Sequence, residues 1–139
     1  MKEDRESIIA AVIREFSHVP FSYGEADCAR FAARLVDRLT GSCWEAELDY
    51  EDEASADAFI ANQGGMEAAV TKRLGDPMPV DQAVRGDIVL ATLEAANTNG
   101  EIVNSLPIVG VHGGSWLYML TRYGLCRFPR ARAIKAWKV

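Results

Sequence analysis

The residues of this chain that could do chemistry gather around one cysteine. Cys28 closes the segment Tyr23-Gly24-Glu25-Ala26-Asp27 and opens an apolar stripe, Cys28, Ala32, Leu35 and Leu39. That i, i+4, i+7, i+11 spacing is one face of an α-helix. A cysteine in a first helical turn sits among unpaired N–H groups at the positive end of the helix dipole, which stabilises a thiolate. Nucleophilic catalysis needs, in addition, a base within about 2.6–3.2 Å of the sulfur. The chain has two histidines, His18 just before Pro20 and His112 between Val111 and Gly113. His112 is the candidate base; its plainer reading is a strand-end histidine with one hydrogen-bond partner. His18 reads as a helix-end residue. Asp27 works against a thiolate next door unless its carboxylate turns away into a helix cap. Cys28 therefore has two readings, a nucleophile or an inert core residue.

The other chemistry-bearing residues read as structural. Cys43 and Cys126 are expected to be packing residues, and three cysteines without a paired motif suggest reduced thiols. No two histidines or cysteines lie at a finger-like or metalloprotease-like spacing, so neither zinc nor another cofactor is expected. Asp87 follows Gly86 in a turn, where a carboxylate accepts backbone N–H groups. Trp44, Trp116, Trp137 and Tyr118 are expected in the core or at an interface, with Trp137 docking the end of the chain onto a sheet.

The elements that must position these residues fall into two halves. Residues 3–16 read as an amphipathic helix with Ile9, Val12, Ile13 and Phe16 on one face, stopped before Pro20. The cysteine helix, capped by Asp27 or Ser22, should end at Thr40-Gly41. A third helix over 54–61 would use Ala54, Ala58 and Ile60 or Ala61 as its weak apolar face. A fourth over 66–74 carries Met66, Val70 and Leu74 and closes at Gly75-Asp76-Pro77. From Val80 onward the period becomes strand-like. Strands are expected at 88–92, 107–112, 116–121, 125–128 and 133–139, with a hairpin turn at Asn97-Thr98-Asn99-Gly100. Helices first and antiparallel strands second predict an α+β fold, N-terminal helices packed on one small curled sheet, in a single domain spanning 1–139.

Composition narrows the partners. A net charge of −5 argues against nucleic acid as the main partner, although residues 122–138 are locally basic. That basic run reads as a solvated face or a protein-contact patch. No apolar run approaches the roughly 18–20 residues of a membrane span, and the charged start Met1-Lys2-Glu3-Asp4 leads into no signal-peptide core. Synthesis in a cytoplasm is the expectation.

Taken together, Tyr23-Gly24…Asp27-Cys28, Gly86-Asp87-Ile88-Val89-Leu90 and Ile108-Val109-Gly110-Val111 resemble the papain-like NlpC-type cysteine peptidase superfamily. The closer resemblance is to an uncharacterised family of phage and prophage proteins allied to it. Thr40-Gly41, Gly64-Gly65, Arg85-Gly86-Asp87 and Ala136-Trp137-Lys138-Val139 complete that pattern over nearly the whole chain. The resemblance implies a papain-like fold, a nucleophile at Cys28 and a histidine base on the first sheet strand, acting on bacterial cell-wall peptides. The base position departs from the pattern. The phrase His-hydrophobic-Gly-hydrophobic reads Ile108-Val109-Gly110-Val111 here, and His112 lies four residues, about 13 Å, further along an extended strand. Two functions follow. One is a structural or assembly component of a phage tail tip or baseplate, with other tail proteins as partners and the virion as its place. The alternative is an active peptidase or amidase with Cys28 as nucleophile, His112 as base and cell-wall peptide as substrate.

Overall fold

The computed structural model describes residues 4–139, and for residues 93, 95–96 and 102–106 the backbone alone. Four α-helices precede a five-stranded antiparallel sheet, so the fold is α+β as the two-part periodicity predicts. The helices are α1 (Arg5–Ser17), α2 (Cys28–Thr40), α3 (Glu53–Asn62) and α4 (Met66–Leu74). The strands are β1 (Ile88–Ala96), β2 (Ile102–His112), β3 (Leu117–Thr121), β4 (Gly124–Phe128) and β5 (Ala133–Trp137), in the spatial order β4-β3-β2-β1-β5. Among the described residues, no helix is long and apolar enough to cross a membrane.

Helix α1 is capped by Asp4, which accepts the Ser7 N–H, and it buries Ile9, Val12 and Phe16. Helix α2 takes Asp27 as its cap; Ser22, the other candidate, instead exchanges backbone hydrogen bonds with Ala26. This helix buries Ala29, Phe31, Ala32, Ala33, Leu35 and Val36, a much wider arc than the single stripe of the sequence pattern. The reason is its position, with α1 on one side (Phe16 and Phe31 rings 5.2 Å apart) and β2 and β3 on the other.

The expected apolar face of α3 is wrong. Ala54 and Ala58 are exposed, and the helix turns Ala56 inward with Phe59 and Ile60 half-buried. Alanines barely discriminate one face from another. The rotation is set by the Asp52–Ser55 capping box and by the Phe59 ring packed 5.7 Å from Tyr50. Cys43 is likewise exposed rather than packed. It lies just past the end of α2, where Asp37 accepts the Trp44 and Glu45 N–H groups and turns the loop outward.

Strand β1 is an interior strand between β2 and β5, and both its faces are covered, which explains its unbroken apolar run. Ile88 and Leu90 join Val109, Val111, Leu120 and Trp137 against the helices. Val89 and Ala91 join Ile108, Leu117, Met119 and Ala136 on the other face, beneath Met78, Ala83 and Phe128. The β1–β2 hairpin is longer than expected, reaching Ala96 and Ile102, and β5 ends at Trp137 rather than at the last residue. Trp137 is fully buried and its indole N–H donates to Thr71 Oγ1 of α4 at 3.2 Å.

Asp87 is a turn carboxylate and more. Its Oδ2 accepts the Val84 N–H at 2.9 Å, while Oδ1 accepts the Val139 N–H at 3.0 Å and lies 3.6 Å from Arg5 Nη2. Arg5 also donates to the Val139 carbonyl. Three distant parts of the chain thus meet at one buried carboxylate. Gly86 is required beside it: its φ is +97°, and a Cβ there would come within 2.7 Å of both Arg5 and Ile9.

Candidate active site

Cys28 is the first residue of α2 and packs against both sides of the sheet's core, at the place where β2 and β3 separate. The β2–β3 ladder comprises Val111↔Tyr118 and His112↔Leu117. Alternation along β2 turns the Val109 N–H to that same side, and it points at the Cys28 sulfur.

Asp27, 1% exposed, organises the approach segment. Its Oδ1 accepts the Arg30 N–H at 2.9 Å and the Tyr50 hydroxyl at 2.8 Å, and its Oδ2 accepts the Gly24 N–H at 3.0 Å. Arg30 Nε lies 3.6 Å from Oδ2, and the same guanidinium donates to the Leu48 carbonyl and lies over the Tyr50 ring. Gly24 has φ +89°, and a Cβ there would sit 2.8 Å from the Tyr50 carbonyl, so a glycine is needed where this loop passes Tyr50.

Two opposing effects act on the Cys28 thiol, and their sum is decisive. The N–H groups of Val109, Ala29 and Cys28 itself favour the thiolate, as a helix start should. Burial opposes them most strongly, followed by the Asp27 carboxylate, and together these push the thiol up to about 12. Asp27 does turn into the cap, yet it stays close enough to disfavour a second negative charge. Tyr23 and Tyr50 are also electrostatically coupled to the sulfur, and burial raises both of these phenols. The ionisable groups found around Cys28 are therefore acids.

His112 is 5% exposed at the end of β2, and its Nδ1 accepts the Gly114 N–H at 3.1 Å. Its backbone is fixed between Asp87 and Gly86. It lies three residues beyond Val109, about 10 Å along an extended strand, on the same face of β2 as Ile108. Cys28 and His112, the sequence-derived pair, share no hydrogen bond; that of the His112 ring is with the Gly114 N–H. Ile108, buried on the second face of the sheet, is the residue next to Val109. The exposed His18 sits at the C-cap of α1. Asp27 and Tyr50 are the site residues whose roles the sequence only half revealed. The capping signal identifies Asp27, but nothing local announces that Tyr50, 23 residues on, closes over it.

Burial, and then Arg130, hold the His112 imidazole below its ordinary value, with Asp87 opposing. The unfolded chain takes up this proton first as pH falls through about 6.5, so the folded state loses stability on the acid side of that value. An NMR titration should therefore place the His112 midpoint below about 6.5. Arg130→Ala should raise it. A midpoint above that value would contradict the packing described for His112.

The family described as "Domain of unknown function (DUF6950)" matches residues 1–139, and the chain belongs to that family. No curated protein and no solved structure matches the chain.

Proposed function

We propose that this DUF6950 member is a structural or assembly component of a phage particle, at the tail tip or baseplate, built on a papain-like frame whose cysteine is not a nucleophile. The observation that carries this reading is the state of Cys28. Its thiol is held protonated by burial and Asp27, and isoleucine occupies the place of a base. The phage assignment rests on the resemblance of the motifs from Tyr23 to Val139. Other tail proteins are the partners it implies. The peptidase alternative needs the His112 imidazole within hydrogen-bond reach of the Cys28 sulfur, whereas its Nδ1 accepts the Gly114 N–H.

Alkylation of Cys28, followed against pH in a chain carrying Cys43→Ser and Cys126→Ala, tests this reading. Slow labelling is expected until well above the ordinary thiol midpoint of about 8.5, unchanged by His112→Ala. A midpoint below that value, moved upward by His112→Ala, would sink the proposal and restore the enzyme. The same shift has a stability counterpart. The unfolded chain releases its thiol proton first as pH rises, so stability should fall above about pH 8.5 by up to about 1.4 kcal/mol per pH unit. Cys28→Ala should flatten that limb up to the range where Tyr50 adds its own loss. In a phage or prophage that encodes the chain, deletion should abolish infective particles and Cys28→Ala should restore them. Failure of that rescue would favour the peptidase.

A further inference from the structure

We infer that the cleft between α2, α3 and α4 is an anchor site for a peptide segment of a partner chain, taking one large apolar side chain that has an acidic residue beside it. The cleft holds about 330 Å³ and is open to solvent on one side. Trp44 and Leu48, each 6% exposed, are among its walls. Phe59 and Ile60 of α3 and Met66 of α4 complete the apolar lining. These three are half-buried because α3 and α4 commit only Ala56 and Val70 fully to the core. Their apolar surface faces a space that no side chain among the described residues fills. A bulky side chain placed there would remove that surface from water without displacing any part of the fold.

The mouth of the cleft selects for charge. Lys72 and Arg73, in the last turn of α4, stand on the rim, and Glu47 is the acid among the lining residues. This excess of cations occurs in a chain whose net charge is −5. Glu47 pairs with Arg73, but its side chain is 61% exposed, and an exposed pair of this kind contributes little. An incoming carboxylate meets Lys72 directly and exchanges with Glu47 at Arg73 at small cost. A half-open cleft suits a side chain carried on a peptide, whose backbone stays outside. Ala29 and Val109 reach the cleft, but Cys28 does not line it. The inference therefore stands whether or not the thiol is reactive. It extends the assembly reading without depending on it.

The probes are acetylated, amidated tripeptides Asp-Phe-Gly, Lys-Phe-Gly and Asp-Ala-Gly, titrated into the full chain and followed by amide and indole NMR. Asp-Phe-Gly should shift the Trp44 indole and the Gln63 and Ala69 amides, with the indole signal assigned through Trp44→Phe. Lys-Phe-Gly should bind about two- to fivefold more weakly, and Asp-Ala-Gly should leave the cleft unperturbed. Lys72→Glu, on the surface, should invert the preference between the two Phe peptides. Ala69→Trp, which fills the cleft, should abolish the shifts. Should that variant fail to fold, Lys72→Glu still decides. Absence of shifts at the cleft up to the solubility limit would overturn the proposal, as would equal shifts with Asp-Ala-Gly. Indifference of the Phe peptides to the charge at 72 would overturn it too.

Discussion

Ile108→His is expected to speed the alkylation of Cys28 near neutral pH by about tenfold, counting both the larger thiolate fraction and its lower nucleophilicity. The wild-type thiol is pushed up to about 12, with the N–H of Val109, the residue next to Ile108, among the groups that favour its thiolate. An imidazole introduced at 108 supplies the cation that Asp27, Tyr23 and Tyr50 do not. A drop of about two units in the thiol's midpoint raises the thiolate fraction about a hundredfold. A weaker base is also a weaker nucleophile, and with a Brønsted coefficient near 0.4–0.5 about a tenfold gain remains. Ile108 is 7% exposed, so burying an imidazole there costs about 1–3 kcal/mol, and thermal melting must show the variant folded. Ile108→Gln, polar but not cationic, is the control. An unchanged rate in a folded variant would mean that position 108 does not address the sulfur, and the correspondence with a catalytic histidine would fall.

The second large effect is on stability. Asp27→Ala should cost about 3–5 kcal/mol in urea unfolding, the range found when one partner of a buried charged network is removed. The carboxylate caps α2 through Arg30 N–H, fixes the loop through Gly24 N–H and accepts the Tyr50 hydroxyl. Its loss strands Arg30, whose Nε is already buried without a hydrogen-bond partner. Tyr50→Phe removes a single bond of this set and should cost only about 1 kcal/mol. The two together should cost less than their sum, because both act on the same oxygen atom. A loss below about 1 kcal/mol for Asp27→Ala would show that the network is surplus to the fold. The variant should also label faster at Cys28, since the second-largest cause of its raised thiol is gone.

Much of this architecture was legible in the sequence, and the reasons are specific. The caps Asp27 and Gly41, the helix Met66–Leu74 and the strand that starts at Ile88 after the Arg85-Gly86-Asp87 turn are local signals, and local structure follows them. Val80–Gln82, read as the start of the strand-like period, instead forms a 3-10 helix. The hairpin turn at Asn97 is also local, its side chain accepting the Asn99 and Glu101 N–H groups. What was not legible depends on partners distant in the chain. The rotation of α3 is set by Tyr50 and the wide burial of α2 by the sheet. The outward turn of Cys43 comes from Asp37. The same division runs through the candidate site. The position of Cys28 at a helix start was readable. The sum of burial and Asp27 acting on the thiol needed the tertiary packing, because burial of a first-turn residue is decided by the strand laid against it.

The meeting of Arg5, Asp87 and Val139 also sets the order in which the molecule can form. Arg5 and Val139 are 134 positions apart, and β1 takes one of its two neighbours, β5, from residues 133–137. As the chain leaves the ribosome, the four helices emerge first, with their inner faces uncovered and no sheet to receive them. The apolar interior cannot close until Trp137 has been made. Contacts of such long sequence separation make folding slow, on the scale of milliseconds to seconds rather than microseconds. During synthesis the nascent helices are therefore exposed to chaperones and to association with their neighbours on the same message.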